Sequence, residues 1–80
     1  MNMIFKAKNG NKIVFDDYVD NTEEYDSYYV EMCQDCFNKH KDDIGFRIDE
    51  DGACGICSVK GCSNEADYYV DFDKDEVEFI

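Results

Sequence analysis

Five cysteines are the residues of this 80-residue chain with an evident chemistry: two in CQDC (33–36) and three in CGICSVKGC (54–62). Thiolates are soft donors, and four of them around a divalent cation make the closed tetrahedral cage that structural zinc favours. Five cannot all enter one such cage. Two sets have suitable spacing. Cys33, Cys36, Cys54 and Cys57 read C-x2-C-x17-C-x2-C, whereas Cys33, Cys36, Cys57 and Cys62 read C-x2-C-x20-C-x4-C. Each delivers two ligands from each of two turns. The second set is favoured by SVKGC, because a glycine directly before Cys62 tolerates the positive φ that lets the chain curl back toward a metal. Val59 would pack beneath that turn while Lys60 faces solvent and softens the charge of the cage. Cys54 is then a spare thiol or an alternative ligand. Iron also accepts four thiolates, but the expected occupant is Zn2+, which brings no redox chemistry and no geometric demand beyond the tetrahedron. His40, four residues past Cys36, could lie one helical turn from the site and stand in for a cysteine.

A metal is expected rather than disulfides. The first residues, MNMIFKAKNGNK, show no basic start, long apolar run or cleavage site, so neither a signal peptide nor a membrane span is expected and the cytoplasm is the expected compartment. Thiols there stay reduced, and an odd cysteine count is awkward for complete pairing. A staple of some kind is needed, because a chain this short buries only about 60–65% of the surface its unfolded form exposes.

The elements that must hold these cysteines are short. MIFKAKNGNKIVF (3–15) reads as a β-hairpin about Asn9-Gly10, with a two-residue type I′ turn flanked by Lys8 and Asn11 and with Phe5, Ala7, Ile13 and Phe15 as its apolar positions. DDYVDNTEEYD (16–26) has six acids in eleven residues and reads as a loop or a weak helix start capped near Asn21-Thr22. SYYVEMC (27–33) reads as a strand leading into the first cysteine pair, and QDCFNKHKDD (34–43) as a short helical turn ending near Ile44-Gly45. FRIDEDGAC (46–54) offers a short strand and an Asp51-Gly52 turn. A strand over 67–72, a polar Asp73-Lys74-Asp75 turn and a closing strand over 76–80 complete the chain. Each Tyr-Tyr pair, 28–29 and 68–69, puts one ring in the core and one on the surface, since neighbours on a strand face opposite ways. The expected fold class is α+β, a single metal-stapled domain over residues 1–80 with an N-terminal hairpin and one short helix.

The run Cys57-Ser58-Val59-Lys60-Gly61-Cys62, C-x-V-x-G-C, resembles the second knuckle of small bacterial and phage zinc proteins, and SNEADYYVDF after it is similar to the strand that trails such a knuckle. The resemblance spans roughly residues 30–72. It implies a zinc-ribbon-like architecture and no particular activity.

Charge narrows the function classes. Twenty acids against eight basic residues give a net charge of −12. Nucleic-acid binders draw most of their affinity from phosphate neutralisation, so direct DNA or RNA binding is disfavoured. Six Tyr and six Phe argue for a folded domain rather than an acidic disordered tail. A four-cysteine cage leaves no open coordination position, and no nucleophile motif or phosphate loop appears, so an enzyme is not expected. The expected role is a non-catalytic protein-interaction or regulatory module whose acidic surface meets a basic protein partner. The alternatives are a nucleic-acid-associated zinc module, for which Lys6, Lys8, Lys12, Lys39 and Lys41 would supply the basic patch, and a phage-type inhibitor that mimics nucleic acid.

Overall fold

The computed structural model describes residues 1–45 and 47–80, with Glu50 described by its backbone alone. Two antiparallel sheets face each other across the core, in an α+β arrangement. The first sheet comprises β1 (Met3–Lys6), β2 (Lys12–Phe15) and the last strand, β7 (Val77–Phe79), in the order β2-β1-β7. The second comprises β3 (Val19–Asn21), β4 (Ser27–Met32), β5 (Ile48–Asp51) and β6 (Tyr68–Asp73), in the order β3-β4-β6-β5. One turn of helix, α1 (Thr22–Tyr25), joins β3 to β4, and an 11-residue helix, α2 (Gln34–Ile44), follows β4. None of the helices among the described residues is long and apolar enough to cross a membrane.

The hairpin forms where the sequence places it, but its turn is different. Ala7 N–H donates to Asn11 O at 2.9 Å and Gly10 N–H donates to Ala7 O at 3.0 Å, so the loop has three residues, Lys8, Asn9 and Gly10, and only Gly10 takes a positive φ (92°). The apolar pattern accounts for the difference. Phe5 and Ala7 share a face with Ile13 and Phe15 only in the register that pairs Phe5 with Ile13 and Met3 with Phe15, and a two-residue loop would slip the strands by one and turn half of this set outward. Asn9 then serves through its side chain: Oδ1 accepts from Asn11 N–H at 3.0 Å while Nδ2 donates to Asp43 of α2 at 2.7 Å. The hairpin tip is thereby fixed to the end of the helix.

Alternation along the strands builds the core. From β4 come Val30 and Met32, from β6 Val70 and Phe72, and these meet Met3, Phe5, Ile13, Phe15 and Val77 of the first sheet. Phe72 is the junction: its ring stacks on Phe5 at 4.3 Å and meets Phe15 at 5.6 Å, although the two sheets share no ladder. The tyrosine pairs divide by alternation. Tyr28 packs with Tyr18 and Phe79, and Tyr68 packs against Phe37 of α2, while Tyr29 and Tyr69 meet each other on the opposite face of the sheet.

The acidic stretch 16–26 carries more structure than its composition suggests. β3 pairs with β4, Val19 opposite Tyr29, and α1 turns the chain between them. Asn21 does not cap that turn with its side chain; instead Asp20 accepts from Thr22 N–H at 3.0 Å and from its hydroxyl at 2.7 Å. Within 46–54, Phe46 lies outside the described residues. β5 pairs with β6 through a bulge between Ile48 and Glu50, and Gly52 follows with φ 86°. The closing turn is a 3-10 turn, Lys74–Glu76, with a reciprocal capping box between Asp73 and Glu76.

Candidate metal centre

Cys33 is the last residue before α2 and serves as its N-cap, with extended backbone angles (φ −76°, ψ 163°). Its sulfur accepts from Cys36 N–H at 3.4 Å. The CxxC spacing therefore places both side chains at the positive end of an 11-residue helix, where backbone N–H groups and the helix dipole favour a thiolate. Gln34 N–H, the next free donor, is taken by Asp67 Oδ2 at 2.9 Å, and the Gln34 side chain accepts from the Tyr68 hydroxyl. Phe37 and Ile44, on the same side of the helix as Cys33 and Cys36, anchor it in the core.

The second pair stands on a narrow loop. Ala66 N–H donates to Gly55 O at 2.8 Å, Cys57 N–H donates to Asn64 O at 2.9 Å, and Ile56 bridges Glu65, so residues 55–57 and 64–66 run antiparallel. At the tip, Cys62 N–H donates to Val59 O at 2.9 Å across a turn whose third residue, Gly61, has φ 84°. That turn requires a positive φ at this position, which glycine supplies without strain.

The loop is wedged between the two sheets. Val59 bridges Phe15, Asp16 N–H donates to Ser58 O at 3.0 Å, and Lys60 N–H donates to Val14 O at 2.9 Å, so 58–60 continues the first sheet beyond β2. On its other side the same loop reaches the second sheet. Ser58 N–H donates to Glu31 O at 2.7 Å, and the buried Ser58 hydroxyl accepts from Glu31 N–H at 3.1 Å. Gly55 is the close approach: a Cβ there would lie 2.5 Å from the Glu31 carboxylate, which accepts from Gly55 N–H at 3.3 Å.

These elements bring Cys33, Cys36, Cys57 and Cys62 together, with all four sulfurs within 4.8 Å of one another. Cys62 Sγ lies 3.8 Å from Cys33 Sγ and 3.7 Å from Cys36 Sγ. A tetrahedron with metal–sulfur bonds of about 2.3 Å has edges of about 3.8 Å, so these separations match a thiolate cage and are far longer than the ~2.05 Å of a disulfide. All five cysteines are free thiols. Cys54 is exposed and stands outside the group. His40 is also apart from it, with Nδ1 3.5 Å from Asp43 Oδ2, so the Cys3His alternative is not the arrangement found.

The electrostatics of the cluster fit a cation. Burial pushes the Cys33 thiol up, but the Cys36 N–H, the Asn64 amide and the neighbouring thiols more than offset this and draw it down to about 7. Burial drives Cys36 well above the ordinary thiol value, reinforced by its contacts with Cys33 and Cys62, and burial also raises Cys57. The N–H groups around Cys33 thus favour its thiolate, while burial favours the protonated forms of Cys36 and Cys57. A divalent cation at the centre would supply the positive charge that Cys36 and Cys57 need to ionise, and its binding would release their protons. Asn64 was not evident from sequence; its Nδ2 donates to Cys33 Sγ at 3.6 Å, an outer contact of the kind that orients a ligand. Its position two residues past Cys62, where the loop turns back along Cys57, is the signal that could have marked it.

The first cysteine pair opens α2, in line with the helical turn expected over 34–43, and the second pair stands on the 55–66 loop with Cys62 at its tip. Four convergent cysteines that could hold a metal ion are compatible with a zinc-ribbon-like module. Compared with known proteins, the chain matches no family model, no curated protein and no solved structure.

Proposed function

We propose that this protein is a zinc-stapled, non-catalytic interaction module whose acidic surface binds a basic protein partner. The observation that carries the reading is the convergence of Cys33, Cys36, Cys57 and Cys62 to within 4.8 Å on a loop wedged between two sheets. Zinc suits it because four thiolates saturate a tetrahedral ion, leaving no site for substrate or activated water, and because the surrounding contacts are structural. With Zn2+ bound, four thiolates leave a net −2 on the cage, which adds to the −12 of the chain.

The acidic charge then has a use beyond solubility. The basic residues that a nucleic-acid reading would need are partly engaged: Lys6 and Lys12 both face Glu78 at 3.9 Å. A basic protein is the partner that this surface complements, including one that otherwise binds nucleic acid. The test is calorimetric titration of the zinc-loaded protein with a hexa-arginine peptide and with a DNA duplex, at about 50 mM and about 300 mM salt. The expected result is peptide binding that weakens at the higher salt, with no binding of the duplex. Duplex binding, or no peptide binding at low salt, would refute the reading.

A further inference from the structure

The second sheet has one face in the core and one face outward, and α2 packs on the core side through Phe37 and Ile44. The outward face presents Tyr29 and Glu31 from β4, Tyr69, Asp71 and Asp73 from β6, and Asp49 from β5. The ladder sets Tyr29 beside Asp71 and Glu31 beside Tyr69, and the Tyr29 and Tyr69 rings meet edge to face at 5.9 Å.

This face is concave. One hollow of about 330 Å³ is bounded by Tyr25 of α1, Tyr29, Asp49, Asp71 and Asp73, and a second of about 430 Å³ shares Tyr29 and Asp49 and extends to Gly52 and Tyr69. Among the described residues, no lysine or arginine lines either hollow. Arg47 pairs with Glu76 and lies over Phe5 and Phe72, and Lys74 reaches Asp26.

Resting on the proposed reading, we infer that this concave face is where the basic partner docks, with an arginine side chain of the partner lying on the Tyr29–Tyr69 rings and its guanidinium reaching Asp49 and Asp71. Arginine fits better than lysine because a planar guanidinium can stack on a ring and bond a carboxylate with two N–H groups at once. Half-buried Tyr29 and Tyr69 beside the carboxylates supply both halves of that recognition, apolar contact and charge. Burial, and after it the charge of Asp49, raise the Asp71 carboxyl above its ordinary value, an effect that the charge of Arg47, engaged with Glu76, offsets only in part.

The test maps hexa-arginine and hexa-lysine peptides onto the 15N-labelled, zinc-loaded protein by NMR titration at low salt, with a hexa-glutamine peptide as the uncharged control. The variants are Tyr29→Ala, Asp71→Asn and, as a control of equal charge change on α2, Asp42→Asn. Asp71→Asn removes a charge that the fold itself disfavours, so it is expected to keep the wild-type melting temperature and remains informative even if Tyr29→Ala is unstable. The expected outcome is shifts concentrated on Tyr29, Tyr69, Asp49 and Asp71, arginine tighter than lysine, and binding weakened about tenfold by Asp71→Asn and less than about twofold by Asp42→Asn. Binding with shifts spread over all the acidic segments, or weakened equally by Asp71→Asn and Asp42→Asn, would overturn this docking face while leaving the acidic-surface reading intact. Equal binding of the glutamine peptide would also overturn it. No binding of the arginine peptide would overturn both.

Discussion

Cys62 and Cys54 are separated by a single property that the sequence carried in plain view: only Cys62 follows a glycine. Gly61 takes φ 84°, and the turn it makes places Cys62 Sγ 3.7–3.8 Å from Cys36 and Cys33. Cys54, with no such turn, is exposed. The prediction at this scale is a contrast in metal content, read by native mass spectrometry of protein purified without chelator. Cys54→Ser should keep one zinc per chain and Cys62→Ser should lose it; retention by Cys62→Ser with loss by Cys54→Ser would move the cage to the 54 and 57 pair. Residues beyond the ligands were harder to read. Asn64 on Cys33 and the buried Ser58 hydroxyl under Glu31 are polar contacts made across more than twenty residues of sequence, and spacing within a motif says nothing about them.

Short elements were legible when their pattern was apolar and less so when it was charged. The hairpin, the strand before the first cysteine, the helix after it and the closing strand follow from alternation and capping, and they occur within a residue or two of their expected positions. β3 did not, because VDN is too short and polar to announce a strand; it exists because β4 offers it an edge. The turn type was open to correction from the sequence itself, since the apolar set of the hairpin shares one face only with a three-residue loop. Arg47, just before β5, reaches Glu76 of the 3-10 turn: the guanidinium bonds the Glu76 carboxylate while lying 5.6 Å from the Phe5 centroid and 5.8 Å from that of Phe72. Burial tends to raise the Glu76 carboxyl, but Arg47 and the Asp73 N–H outweigh it and hold it below its ordinary value. A depressed folded-state value contributes stability that is present above the ordinary carboxylate range, about 4.3, and is lost as pH falls through the folded value. Thermal melts from pH 6 to pH 3 should therefore show a smaller drop for Glu76→Gln than for the wild type. Parallel curves would show that this pair contributes nothing to acid stability.

At the scale of the molecule, the loop 57–62 is what makes two small sheets and a helix into one body. It pairs with β2 on one side and with β4 on the other, and its two cysteines meet the two that open α2. The shared core about Phe72 also ties the sheets, but a core of this size is marginal without a staple. Structural zinc in small domains contributes on the order of 10–16 kcal/mol, comparable to the whole stability of a typical domain at about 5–15 kcal/mol. Fold class was legible in the patterning, and the grouping of four cysteines in their spacing. The joining of the sheets by that loop was not, because it rests on backbone pairings between segments with no mutual signal in the sequence. The most direct test of the account is therefore to challenge the protein with a zinc chelator. A thermal melt followed by near-ultraviolet circular dichroism, with and without a zinc chelator at neutral pH, should show the aromatic signal and the melting temperature both collapsing on chelation and returning when Zn2+ is restored. An unchanged spectrum and an unchanged melting temperature in excess chelator would contradict the account.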